Sequence, residues 1–144
     1  MTVTAPQVDF YILPTKNHQS LLQFCCRLAE KAWKKGNNIH IQTNNSEETN
    51  HLDKLMWTYS DSSFLPHATQ SENITAPIII GHEADIKPSD LLINLAVHTP
   101  TQHTQFSRIA EILNDDDSIK TNGRIRYAEY KKMGCDLHHH DIKS

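Results

Sequence analysis

The stretch VDFYILPTKNHQSLLQFCCRLAEKAWKKGNNIHIQT, residues 8–43, carries two strand-like runs on either side of one helical run. VDFYIL is rich in β-branched and aromatic residues and stops at Pro14, as a strand does. Leu21, Leu22, Cys25, Leu28, Ala29, Ala32 and Trp33 then recur at helical spacing. Lys34 and Lys35 follow in the last turn and Gly36 just beyond it, a pairing that suits a helix C-terminus. NIHIQT, from Asn38 to Thr43, alternates as a second strand.

The same grammar continues along the chain. Ser46 with Glu47 and Glu48 starts a second helix whose buried stripe is Leu52, Leu55, Met56 and Tyr59. Residues 60–76 are polar and irregular, a long loop interrupted only by FLPH. PIII (Pro77–Ile80) and LLINLAV (Leu91–Val97) are apolar runs that fit buried strands. FSRIAEIL (Phe106–Leu113) fits a strand or a helix, and is taken as a strand because NDDDS directly after it reads as a separate helix start. A last helix runs from about Asp116 to Met133 and ends at Gly134. Strands alternating with helices predict a single α/β domain over residues 1–144. Its central sheet is mainly parallel, with helices on both faces in a Rossmann-like arrangement. From about residue 136 the His-rich end is expected to be a flexible tail.

Composition excludes several classes of function. The hydrophobic content of 38% and charged content of 22% are ordinary for a globular protein, and no apolar run approaches the length of a membrane span. MTVTAPQVDF lacks the features of a secretory signal, so the expected location is cytoplasmic. Cys25, Cys26 and Cys135 form neither a disulfide framework nor a CxxC pair, and are expected to be reduced thiols. A net charge of −3 argues against a nucleic-acid sleeve, whose affinity comes largely from neutralised phosphates.

Catalytic motifs are missing. The turn after the first strand, PTKNHQS, has no glycine, so there is no nucleotide-binding loop. Asp115, Asp116 and Asp117 read as an acidic first helical turn rather than a metal site. DLHHHD, with His138, His139 and His140, offers at most incidental metal binding. No cofactor and no intrinsic catalytic activity are expected.

Two patches remain that packing alone does not explain. RIRYAEYKKMG, residues 124–134, belongs to a segment that holds five of the chain's 14 basic residues between Lys120 and Lys132. At about 100° per residue, Lys120, Arg124, Tyr127 and Lys131 share a stripe about 60° wide, with Ile119, Tyr130 and Met133 about a quarter turn away. Cations around one phenol ring suit a carboxylate joined to an apolar group, as in the end of an acidic peptide. The second patch is Trp57, about 140° from the buried stripe of its helix, beside Phe64, Leu65 and Pro66. An outward Trp near an outward Phe is a common interface anchor.

FYIL, AEKAWKKGNNIHI, LDKLMWTYSDSSFLPH, APIIIG, DLLINL and RIRYAEYKKMG, in this order, resemble the chi subunit of bacterial DNA polymerase III over nearly the whole chain. The resemblance implies a non-enzymatic adaptor of the DNA-directed DNA polymerase holoenzyme, working in the bacterial replisome. It implies two partners: the acidic C-terminal tail of single-stranded DNA-binding protein, and the psi subunit, which links chi to the clamp loader. By position, the tail site would include Lys120, Arg124, Tyr127 and Leu113, and the psi-facing surface Trp57, Phe64 and Pro66. Little direct nucleic-acid binding and no membrane contact are implied. The alternative is a domain that binds single-stranded nucleic acid directly, through Tyr127, Tyr130 and the cations.

Overall fold

The computed structural model describes residues 5–58, 65–83 and 86–143. Along the chain run β1 (Gln7–Ile12), α1 (His18–Lys34), β2 (Ile39–Gln42), α2 (Ser46–Thr58), β3 (His67–Thr69), β4 (Ile78–Gly81), β5 (Ser89–Asn94), β6 (Phe106–Leu113), α3 (Asp117–Lys132) and β7 (Asp136–Asp141). All seven strands join one sheet in the order β3-β4-β2-β5-β6-β1-β7, and every pairing is parallel.

Alternation along the central strands divides the core in two. Ile39, Ile41, Ile78, Ile80, Leu91, Ile93, Ala110 and Ile112 pack with Leu21, Leu22, Cys25 and Ala29 of α1 and Leu52 and Met56 of α2. Val8, Phe10, Leu92, Ile109 and Leu113 pack on the other face with Tyr130 of α3. Helices therefore cover both faces, the expected α/β architecture. Cys25 and Cys26 are free and buried in the first cluster. Burial, with the nearby Glu30 charge, pushes the Cys26 thiol up to about 12, so it packs as a small apolar group.

The local signals act as their chemistry requires. Asn17 caps α1 by accepting from the Ser20 amide at 3.1 Å, and Gly36, at φ 91°, turns the chain out of the helix toward β2. Among the described residues no helix is long and apolar enough to cross a membrane.

Three expectations need correction. The loop expected over residues 60–76 contains β3, three residues that pair with β4 as the sheet's edge. LLINLAV does not stay extended to Val97. The buried Asn94 accepts from the Ala96 amide at 3.2 Å and donates to the carbonyls of Ala96 and His98, turning the chain after β5. The flexible tail expected from about 136 is β7, a six-residue strand zipped onto β1. Leu137 packs with the α3-side core, and His140 Nε2 lies 3.0 Å from Asp9 Oδ1 on the opposite face. Tyr59 and Phe64 lie outside the described residues.

Candidate functional site

The chemistry concentrates on α3, and its first turn is built by the three aspartates. Asp116 is the N-cap, accepting from the amides of Ser118 at 3.0 Å and Ile119 at 3.2 Å. Bonds from the Ser118 hydroxyl and these amides hold its carboxyl below the usual range. Asp115 points elsewhere and takes the Lys120 Nζ at 3.0 Å. The Asp115 and Asp116 carboxylates thus serve different groups. Among the described residues no cluster of three or more His, Cys, Asp or Glu side chains is arranged to hold a metal ion.

One face of α3 is buried in an unusual way. Gly123, Arg126 and Tyr130 form its inward stripe, flanked by half-buried Ile119 and Met133. A Cβ at Gly123 would lie 2.6 Å from Leu113 Cδ1, so the missing side chain lets the helix seat directly on β6. That close approach offsets the roughly 1 kcal/mol that a mid-helix glycine costs. Beneath the helix lies Glu111, with no exposed surface. It accepts from Arg126 Nε at 3.0 Å, Asn94 Nδ2 at 2.9 Å and Tyr130 Oη at 2.7 Å. Burial pushes the Glu111 carboxyl up, against the opposing pull of the Arg126 charge and the three hydrogen bonds. Burial and the Glu111 charge drive the Tyr130 phenol up as well, so it stays a donor. Arg126 Nη1 also donates to the Val97 carbonyl at 2.9 Å, tying α3 to the turn after β5.

The basic run therefore separates into internal and external parts. Arg126 is 5% exposed and neutralised by Glu111, and Tyr130 is sealed in the core. Outside stand Arg124, Lys131 and Tyr127, with half-buried Lys120 at the head of the strip. Tyr127 is 38% exposed, and its ring leans on Phe10 of β1 with centroids 5.3 Å apart. Among the described residues, neither Arg124 nor Lys131 forms an ion pair, whereas Lys120 is held by Asp115. Lys120 differs from the other two because Asp115 reaches it from the turn before the helix. Leu113 is 7% exposed and wedged under Gly123, so it belongs to the floor.

The second patch lies at the opposite end of the sheet. Trp57 is 55% exposed near the end of α2, and its ring centroid is 4.8 Å from that of His67 on β3. His67 is buried and bonds the Leu65 carbonyl, and half-buried Pro66 lies between them. Trp57 and Pro66 thus border the β3 edge. The strand order places five strands between β3 and β7, so this patch and the α3 strip are separate surfaces.

The sequence holds two signals for the buried network that its apolar pattern hides. Glu111 sits inside the apolar run FSRIAEIL, where an ionised group needs a cation. Arg126 is three residues from Gly123 and four from Tyr130, on the inward stripe.

Known proteins share this chain's sequence over most of its length. The family described as DNA polymerase III chi subunit, HolC, matches residues 5–138. The chain is 33% identical over 137 residues to a DNA polymerase III subunit chi of Pseudomonas aeruginosa, covering 94% of this chain and 96% of that protein. It is 28% identical over 137 residues to that of Haemophilus influenzae, covering 92% and 95%. It is 28% identical over 119 residues to that of Escherichia coli, covering 80% and 81%.

Proposed function

Because the chain belongs to the DNA polymerase III chi subunit family, a replication accessory subunit, we propose that it is an adaptor without catalytic activity. One surface, on α3, holds the acidic C-terminal tail of single-stranded DNA-binding protein. The other, around Trp57 and Pro66, meets the psi subunit and through it the clamp loader.

The observation that carries the tail site is the exposed guanidinium of Arg124, next to a half-exposed Tyr127 that rests on Phe10. A guanidinium offers a two-pronged grip on a carboxylate. The Tyr127 ring supplies an apolar surface for a terminal side chain. Lys131 and Lys120 add positive potential for upstream acidic residues. Support for the psi-facing surface is the large exposed area of Trp57, the usual kind of interface anchor.

Direct binding of single-stranded nucleic acid is less well supported. Stacking of successive bases needs several open rings, and Tyr130 is fully buried.

Calorimetric titration with an acidic peptide ending Asp-Phe tests the tail site. Arg124→Ala is expected to cost about 1.5–3 kcal/mol of affinity, the scale of a hydrogen bond to a charged group. Binding should also weaken as salt rises. Salt-independent binding, or an Arg124→Ala protein that binds as well as the parent, would defeat the proposal.

A further inference from the structure

The α3 strip does not stand alone on its side of the sheet, because β7 runs alongside it. In the parallel register Val8 pairs with Leu137, Phe10 with His139 and Ile12 with Asp141. Register partners in neighbouring strands point to the same face, and side chains alternate along each strand. Val8, Phe10 and Leu137 all pack in the α3-side cluster, so His139 is also turned toward α3. His138 and His140 point the other way: His140 meets Asp9 at 3.0 Å and stacks on Tyr11 with centroids 5.0 Å apart.

This arrangement makes a shallow trough. Phe10 forms its floor, Tyr127 lies on Phe10 from the helix side, and His139 stands about 4.8 Å along the sheet on the other side. The helical angles put Arg124 and Lys131 on the same flank of α3 as Tyr127. The His139 side chain is exposed and makes no hydrogen bond or ion pair to another described residue. An extended acidic chain lying over Phe10 would thus meet α3 cations on one side and an imidazole on the other.

We propose that β7 is the second wall of the acidic-peptide site, with His139 contacting a carboxylate upstream of the peptide's terminal residue. This rests on the tail-binding reading and adds to it a residue from outside the helix. Among the charged groups near this side are Lys120, Arg124 and Lys131 of α3, with Lys120 held by Asp115, and Asp141 of β7. The neighbouring β1 residues facing the trough, Val8, Phe10 and Ile12, carry no charge. Asp141 opposes the peptide at one end, so His139 is the β7 side chain that offers it a hydrogen-bond donor.

The test is fluorescence anisotropy with a labelled acidic peptide ending Asp-Phe, on the full chain. His139→Ala should bind about three- to fivefold more weakly than the parent, the scale of one exposed polar pair. His139→Lys should bind at least as tightly as the parent. His138→Ala, on the opposite face, should behave as the parent, and thermal melts should show all variants folded. If His139→Ala matches the parent while Arg124→Ala is impaired, the β7 wall is wrong and the α3 site stands. If Arg124→Ala also matches the parent, or the peptide does not bind, the tail-binding reading fails and this inference falls with it.

Discussion

Arg124 and Arg126 are two residues apart in RIRY, and the structure gives them opposite surroundings, Arg124 exposed and Arg126 buried. Arg126→Met removes one of three donors to Glu111 and the tie to the Val97 carbonyl, leaving a fully buried carboxylate with only Asn94 and Tyr130. Breaking one partner out of a buried ion pair costs about 3–5 kcal/mol. A domain of this size has about 5–15 kcal/mol in total, so the loss is severe but measurable. Arg124 is exposed, and Arg124→Ala should stay within about 0.5 kcal/mol of the parent. Urea unfolding of both variants, paired with peptide titration under folding conditions, gives the crossed result. Arg126→Met should unfold early yet bind the peptide within about threefold of the parent, whereas Arg124→Ala should unfold normally and bind poorly. Glu111→Gln combined with Arg126→Met should recover part of the stability, because a neutral amide replaces the stranded charge. Equal stability of the two single variants, or peptide binding lost only through Arg126, would overturn the division of the basic run.

Asp115→Asn should release Lys120 and tighten peptide binding up to about fivefold, since an exposed pair is worth about 0.2–1 kcal/mol. Weaker binding in the titration would mean that Asp115 orders Lys120 instead of occupying it. Asp9 governs an acid response. Burial pushes its carboxyl up, but His140, Arg108 and Gln7 together hold it below the usual range. Its folded-state value is therefore lower than its unfolded one, so its stabilisation is complete above the ordinary carboxylate range and is lost as pH falls through the lowered value. Glu111, held above its usual value, acts in the opposite sense and at higher pH: its contribution is present below the ordinary carboxylate range and is lost as pH rises through the raised value. Thermal melts between pH 5 and pH 3 should show a smaller drop for Asp9→Asn than for the parent, and an identical drop would exclude the Asp9 contribution. Trp57→Ala should weaken capture of the psi subunit in a pull-down and leave the peptide titration unchanged; loss of both would show that the two surfaces are coupled.

Much of the fold is legible because local chemistry and tertiary packing agree. FSRIAEIL forms a strand over the expected residues, and Asp116 caps the helix that its acidic run announces. The misses fall where long-range pairing overrides the local pattern. DLHHHD has one apolar side chain, so nothing local marks a strand. Its order comes from backbone pairing with β1, the packing of Leu137 and the contact of His140 with Asp9, 131 residues away. β3 is too short at three residues to show alternation. In the candidate site, the helical stripe of Lys120, Arg124, Tyr127 and Lys131 is readable from angular spacing. The pairing of Lys120 is not, because Asp115 lies before the helix and off its periodic pattern. The burial of Arg126 depends on Glu111 from a distant strand, a partner that helical spacing cannot name.

The most direct measurement compares two acidic peptides that differ only at the C-terminus, one a free carboxylate and one an amide, each titrated into the parent and Arg124→Ala proteins. The parent should bind the free carboxylate at least about tenfold more tightly, and Arg124→Ala should bind both alike, the mark of a charged hydrogen bond from that guanidinium. Equal affinity of the parent for the two peptides would contradict capture of a chain end by the α3 strip.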